Sequence, residues 1–383
     1  MRNITIYYPK KVDFGIGAVN QLAGDVVAAG IKRLFIISVD VVINNLKTIL
    51  HDLSEQGVEI EIETDLPGEP TYSDFYRVLK KAQEFGADCI AGIGGGSVMD
   101  LAKIVAALLK SDQKLDDVIG IRLLTGRNTS LICIPTTSGT GSEMSPNSIL
   151  LDEKDNAKKG IISPYLVPDL VYIDPELTFN LPPAITAFTG IDALTHCIEA
   201  YCNKNAHPVI DQYALKGIQL ICSSLLKAVK NGDDIQARTD LALGSMYGGM
   251  CLGPVNTAAV HALAYPLGSD YHIPHGLSNA LLLPYVMEFN LDADYKRYAD
   301  VAKTIGITDG SPDQETAEKG IRYLKSLLTE CGVPQSLKDV GVKKETLESM
   351  AKDALNVKRL LVNNLKEIDF DAALNIYSNA YNE

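Results

Sequence analysis

The sequence predicts an α/β domain built on a parallel sheet, followed by an all-helical domain. Three observations carry that expectation. Short β-branched runs alternate with helix-length amphipathic stretches through the first half, a Pro182-Pro183 pair closes that rhythm, and long helical patterns with few β-branched runs fill the rest. The length of 383 residues corresponds to about two domains at roughly 150 residues each, and the boundary is placed at residues 180/181, giving 1–180 and 181–383.

The elements follow in order. Residues 4–8 (Ile4-Thr5-Ile6-Tyr7-Tyr8) alternate like an edge strand, and an unpaired edge invites a second chain, so a homodimer is expected. Leu34-Phe35-Ile36-Ile37, Val58 to Ile62 and Cys89 to Ile93 are strands, separated by helices over Val42–Leu53, Ser73–Phe85 and Val98–Leu109. This is the pattern of βαβ units in a parallel sheet. A further strand, Ser130 to Ile134, ends at Pro135 and opens the loop Pro135 to Ser145, before an apolar run at Ile149-Leu150-Leu151. Beyond Leu181, helices are predicted over Pro183–Tyr201, Pro208–Lys230, Asp234–Cys251 and Ala317–Cys331, with lengths and apolar spacing suited to a bundle.

Composition narrows the function. Apolar residues make up 46% and charged residues 22%, the balance of an ordinary globular chain and not of a disordered one. Thirty-five basic against 48 acidic residues leave a formal charge of −13, so phosphate neutralisation on a nucleic acid is disfavoured. Seven cysteines without Cys-x-x-Cys spacing, set in apolar stretches, read as free buried thiols of a reducing compartment. No signal-peptide run and no window of eighteen uninterrupted apolar residues is present, so a cytoplasmic, non-membrane protein is expected.

Two loops carry chemistry. Gly94-Gly95-Gly96-Ser97 follows a strand and opens a helix, where side chains without Cβ let the backbone approach a phosphate and the helix dipole favours it. A glycine run of this kind serves a plain strand-to-helix turn equally well. The loop Thr136-Thr137-Ser138-Gly139-Thr140 adds hydroxyls and backbone donors at another strand end, and two such loops point to the ligand crevice of a doubly wound sheet.

The six histidines hold the third signal. Asp192 and His196 lie four apart on one predicted helix, hence one turn apart on one face; His261 and His275 begin later helical stretches. One oxygen and three nitrogens suit Fe²⁺ or Zn²⁺ with a position left open for substrate. Residue by residue, an ordinary i,i+4 pair and two helix caps explain the same four side chains. That explanation weakens when all four must be explained in apolar surroundings, because buried ionisable groups need partners. His51 and His207 have no such context and read as surface residues.

At these residues the sequence resembles the iron-containing (group III) alcohol dehydrogenase family: GGGSVMDLAK at 94–103, PTTSGTGSEMSPNS at 135–148, TGIDALTHCIEAY at 189–201 and HALAYPLGSDYHIPHGLSNALLLPYVMEFN at 261–290, in order and across both halves. The resemblance implies a Rossmann-like nucleotide-binding domain and a helical metal domain, the two-domain fold shared with dehydroquinate synthase. It implies NAD, with NADP open, and Fe²⁺, with Zn²⁺ open. It places Asp192, His196, His261 and His275 at the metal, and Gly94, Gly95, Gly96, Ser97, Asp100, Thr136, Thr137, Thr140 and Lys158 at the cofactor. Asn147 and Leu252 fall at substrate positions. The activity implied is hydride exchange between the nicotinamide and a small primary alcohol, diol or hydroxy acid.

Two positions depart from the family. A histidine that many members place four residues after the third ligand is Tyr265 here, and a phenol is a poorer proton relay at neutral pH than an imidazole; His272 is the candidate substitute. The ribose-binding acid expected directly after the second strand stands one residue late, at Asp40. Two alternatives stay open: a nucleotide or redox sensor on the same fold, which Tyr265 favours, and a lyase of the dehydroquinate synthase type.

Overall fold

The structure is a computed structural model that describes residues 2–66, 68–154 and 157–382. The α/β portion runs β1 (Lys11–Phe14), α1 (Leu22–Ala28), β2 (Arg33–Ile37), α2 (Asp40–Asn45), α3 (Lys47–Glu55), β3 (Glu59–Glu63), α4 (Tyr72–Phe85), β4 (Cys89–Gly94), α5 (Gly96–Leu108), β5 (Gly120–Ile121), β6 (Ser130–Pro135), β7 (Asn147–Asp152), β8 (Ala157–Ile162) and β9 (Leu170–Ile173). Six strands form one sheet in the order β1-β9-β6-β4-β2-β3, every pair parallel. β4 is buried throughout and β6 from Leu131 onward, which is why they read as continuous apolar runs and not as alternation. A second sheet, β5-β8-β7, contains the antiparallel pair β7/β8, and Ile149-Leu150-Leu151 lies in β7.

The helices α6 (Pro183–Tyr201), α7 (Pro208–Lys230), α8 (Ile235–Leu252), α9 (Ala259–Tyr271), α10 (His275–Asn290), α11 (Tyr295–Thr304), α12 (Asp313–Glu330), α13 (Leu347–Ala354), α14 (Lys358–Leu361) and α15 (Phe370–Asn382) make up the rest. Pro183 and Pro208 each sit at the first turn, where a missing N–H costs nothing. The chain clusters into two compact units: Ile6–Thr137 with Gly141–Asn180, and Met1–Thr5, Ser138–Thr140 and Leu181–Glu383.

Three expectations need correction. Residues 4–8 form no strand; the first strand begins at Lys11 and pairs with β9, because the main-chain partner lies on Leu170–Ile173. The single helix expected over 42–53 is two, α2 and α3, broken at Leu46, whose φ of −106° and ψ of 8° leave the helical region. His207 is buried, not on the surface: its Nδ1 accepts from the N–H of Val209 and caps α7. All seven cysteines are buried free thiols. Among the described residues no helix is long and apolar enough to cross a membrane.

Candidate functional site

The helix α6 presents Asp192, His196 and Glu199 at i, i+4 and i+7, one face of the helix. Asp192 Oδ1 lies 3.9 Å from His196 Nε2 and 3.6 Å from both His261 Nε2 and His275 Nε2. His196 and His261 face each other through Nε2 atoms 3.0 Å apart. His275 reaches Asp192 because the next residue is Gly276, where any Cβ would sit 2.2 Å from the carbonyl oxygen of Phe188; only glycine lets α10 approach α6 so closely. Asp192, His196 and His261 are buried, and His275 is partly open.

Three imidazole nitrogens aimed at one carboxylate oxygen are a donor set without enough protons or acceptors to satisfy itself, and this fits a divalent cation. Asp192, His261 and His275 bring ligand atoms within 4.8 Å of one another. Burial alone would raise the Asp192 pKa, but His196, His275 and His261 hold it far below the carboxylate range. Burial lowers His196 to about 4, against the opposing pull of Asp192. Burial also acts downward on His261, yet Glu199 and then Asp192 outweigh it and push the imidazole up to about 9.

Two residues of this centre went unremarked in the sequence. Glu199 Oε2 lies 2.6 Å from His261 Nδ1, and its Oε1 accepts from the N–H of Val260 at 2.6 Å. This carboxylate–imidazole pair fixes the ring so that Nε2 points at the cluster. Its signal was there, on the face already carrying Asp192 and His196. Asn279 Nδ2 donates to Asp192 Oδ1 at 2.7 Å from one turn after His275; nothing in the sequence distinguishes it from a helix-face amide.

The two loops lie side by side, since β4 pairs with β6 with Gly94 opposite Pro135, and the N–H of Thr136 donates to Gly94 O. Gly95 is the residue before α5, whose N-terminus has no side-chain cap. Ser97 lies in its first turn. Asp100 accepts from Ser142 Oγ and the Ile149 N–H, so its carboxylate also ties the loop to β7. Thr137 is half-buried, and Thr140 falls with the helical unit. Lys158, on β8, pairs with Glu69 at 2.5 Å, so its charge is already answered by an acid. Asp40 is exposed at the first position of α2. Asn147 begins β7 with a buried Oδ1 that has no partner among the described residues.

Tyr265 and His272 diverge. The Tyr265 hydroxyl accepts from Arg359 Nη2 at 2.6 Å. His272 is the exposed C-cap of α9, with φ 55°. Leu252 is buried at the end of α8.

Family models describe the same chain in two pieces. "Iron-containing alcohol dehydrogenase" matches residues 9–175 and "Fe-containing alcohol dehydrogenase family, C-terminal" matches residues 186–381. The chain belongs to the iron-containing alcohol dehydrogenase family. This family member is an oxidoreductase of the alcohol dehydrogenase type. It is 39% identical over 362 residues, 93% of this chain and 91% of the other, to long-chain-alcohol dehydrogenase 1 of Geobacillus thermodenitrificans. A crystallised 1,3-propanediol oxidoreductase superposes with TM-score 0.96 at 32% identity, over 99% of this chain and all of that one. A sulfoacetaldehyde reductase from Bifidobacterium kashiwanohense, solved with NAD⁺, superposes with TM-score 0.89 at 26% identity over the full length of both.

Proposed function

We propose that this protein is a metal-dependent, NAD-linked alcohol dehydrogenase and aldehyde reductase for small substrates, with Asp192, His196, His261 and His275 as the ligands of an Fe²⁺ ion that Zn²⁺ can replace. The observation that carries the reading is the convergence of three imidazole Nε2 atoms on Asp192 Oδ1, backed by Glu199 behind His261. When bound, such an ion supplies Lewis acidity to an alcohol or carbonyl oxygen, and a nicotinamide supplies the hydride acceptor or donor.

The chain's own residues do the positioning. Asp192 brings the negative charge that a divalent ion needs, and the Asn279 amide holds that carboxylate in place. Glu199 holds His261 with Nε2 presented. The uncapped N-terminus of α5, with Gly95, Gly96 and Ser97, offers backbone donors to a pyrophosphate. Asp100, Thr136, Thr137 and Thr140 border the same loops, and Asp40, at the start of α2 three residues after β2, is the candidate for the adenosine ribose, which favours NAD over NADP. Asn147 and Leu252 are candidates to line the substrate, and His272 to relay the alcohol proton. A cytoplasmic homodimer completes the reading, its mass checked by light scattering.

The deciding experiment is NADH and NADPH oxidation over a panel of small aldehydes, with protein reconstituted anaerobically with Fe²⁺ or Zn²⁺ beside a His261→Ala control. Metal-dependent turnover lost in the control is expected. A lyase leaves NADH unchanged, and a sensor binds it without oxidising it; either result overturns the reading.

A further inference from the structure

The residue that departs from the family pattern, Tyr265, has a partner 94 positions away in sequence. Arg359, on α14, donates from Nη2 to the Tyr265 hydroxyl at 2.6 Å, and its guanidinium carbon lies 5.9 Å from the centre of the Tyr265 ring. Tyr265 is one turn after His261 on α9, and helical side chains lean toward the N-terminus of their helix. The tyrosine therefore covers the turn that carries His261, with a Cβ–Cβ spacing of roughly 5–6 Å, and Arg359 is held just beyond it.

Arg359 is half-buried, and among the described residues no carboxylate lies within ion-pair distance of it. A guanidinium has five N–H donors in a rigid fork; the phenol uses one. Its place is not accidental, because α14 is anchored by Asn363, whose Nδ2 donates to Thr257 O and whose Oδ1 accepts from Asn205. In a chain of net charge −13, a half-buried arginine with no acid partner, one side chain removed from a candidate metal ligand, is a local reversal of sign. A neutral alcohol offers it a hydrogen-bond acceptor but no countercharge.

We infer that Arg359 is a specificity-determining residue that binds the anionic end, a carboxylate or sulfonate, of a short hydroxy acid or oxo acid whose oxygen-bearing carbon lies at the His261 side of Tyr265. Tyr265 is then a positioning residue that aims the guanidinium, and its hydroxyl is committed to Arg359 instead of to proton relay. This rests on the dehydrogenase reading above, since it names the substrate class of that same site.

The test compares wild type, Arg359→Met and Arg359→Lys, each reconstituted with Fe²⁺ or Zn²⁺. NADH oxidation is followed with propanal, 3-oxopropanoate and sulfoacetaldehyde, and binding of 3-hydroxypropanoate and 2-hydroxyethanesulfonate is followed by calorimetry. Charge-assisted hydrogen bonds are lost in Arg359→Met, so the anionic aldehydes should lose on the order of 10- to 100-fold in kcat/KM. That loss should come through KM, with propanal changed less than about threefold. Arg359→Lys should recover part of it, and calorimetric binding should fall in parallel. Equal losses for propanal and the anions, or a wild-type preference for propanal, overturn the proposal while leaving the dehydrogenase reading intact. If no aldehyde is turned over with either metal, that reading falls, and calorimetry alone decides Arg359: binding lost in Arg359→Met supports the anion site, and binding unchanged removes it.

Discussion

Glu199 shows how one carboxylate ties a candidate metal centre to its helix, since each of its oxygens accepts one hydrogen bond from the His261 segment. Glu199→Gln keeps the shape and loses one acceptor, so metal affinity should fall about 10- to 100-fold in a Zn²⁺ titration with little change in folding. Unchanged affinity would show that His261 is oriented by packing alone. A second buried acid, Glu143, sits in the loop after β6, and burial pushes its carboxyl from 4.5 up to about 7, against a backbone hydrogen bond and then the Lys103 charge, which both pull it down. The folded chain then binds a proton there that the unfolded chain releases, so this group's contribution to stability is full below about pH 4.5 and is lost as pH rises to about 7. The loss is at most about 3.5 kcal/mol at roughly 1.4 kcal/mol per pKa unit. Urea denaturation at pH 5 and pH 8 should show wild type losing stability relative to Glu143→Gln, and parallel profiles would refute it. What was legible at this scale follows from chemistry that sequence spacing records. Asp192 and His196 advertise themselves by one helical turn, and Glu199 lies on the same face, where its role shows only once His261 is brought against it. Arg359 is invisible, because its meaning depends on a contact across 94 residues.

Elements show the division between what packing demands and what a ligand leaves free. On β4 and at the start of α5 the glycines have different reasons. A Cβ at Gly92 would lie 2.7 Å from the Ala102 Cβ and 3.2 Å from the Met99 Cα, so α5 could not lie on its strand, whereas at Gly95 the nearest atoms, on Thr137, are 3.7 Å away. Gly92→Ala should therefore cost about 1–3 kcal/mol of stability by overpacking. Gly95→Ala should leave the melting temperature nearly unchanged and raise the KM for NADH, because its Cβ projects where a pyrophosphate would meet the backbone. A destabilised Gly95→Ala with normal KM would reassign that glycine to the turn alone. The helices beginning at Pro183 and Pro208 were legible from their first residues, because proline at the first turn leaves little choice. The break at Leu46 was not, since neither Gly nor Pro marks it. The alternation in residues 4–8 misled, because period-two patterning records a capacity for pairing and not the presence of a partner.

At the scale of the whole molecule, the candidate metal centre draws its side chains from α6, α9 and α10, and the two candidate cofactor loops draw theirs from β4, β6 and α5. A ligand that binds only the folded state stabilises it by about 2.7 kcal/mol at 100 times its Kd. That stabilisation should appear first in the elements that supply ligand atoms. Hydrogen exchange of the metal-free and Zn²⁺-loaded protein should slow in α6, in the first turn of α9 and at the N-terminus of α10, while β2 and β4, held by the parallel ladder and their own buried core, change little. NADH should produce the complementary pattern at the β4–α5 and β6 turns. Protection that rose evenly along the chain with Zn²⁺, or that persisted in a His261→Ala variant, would show that the metal acts elsewhere. The four converging side chains would then be no more than a buried polar cluster.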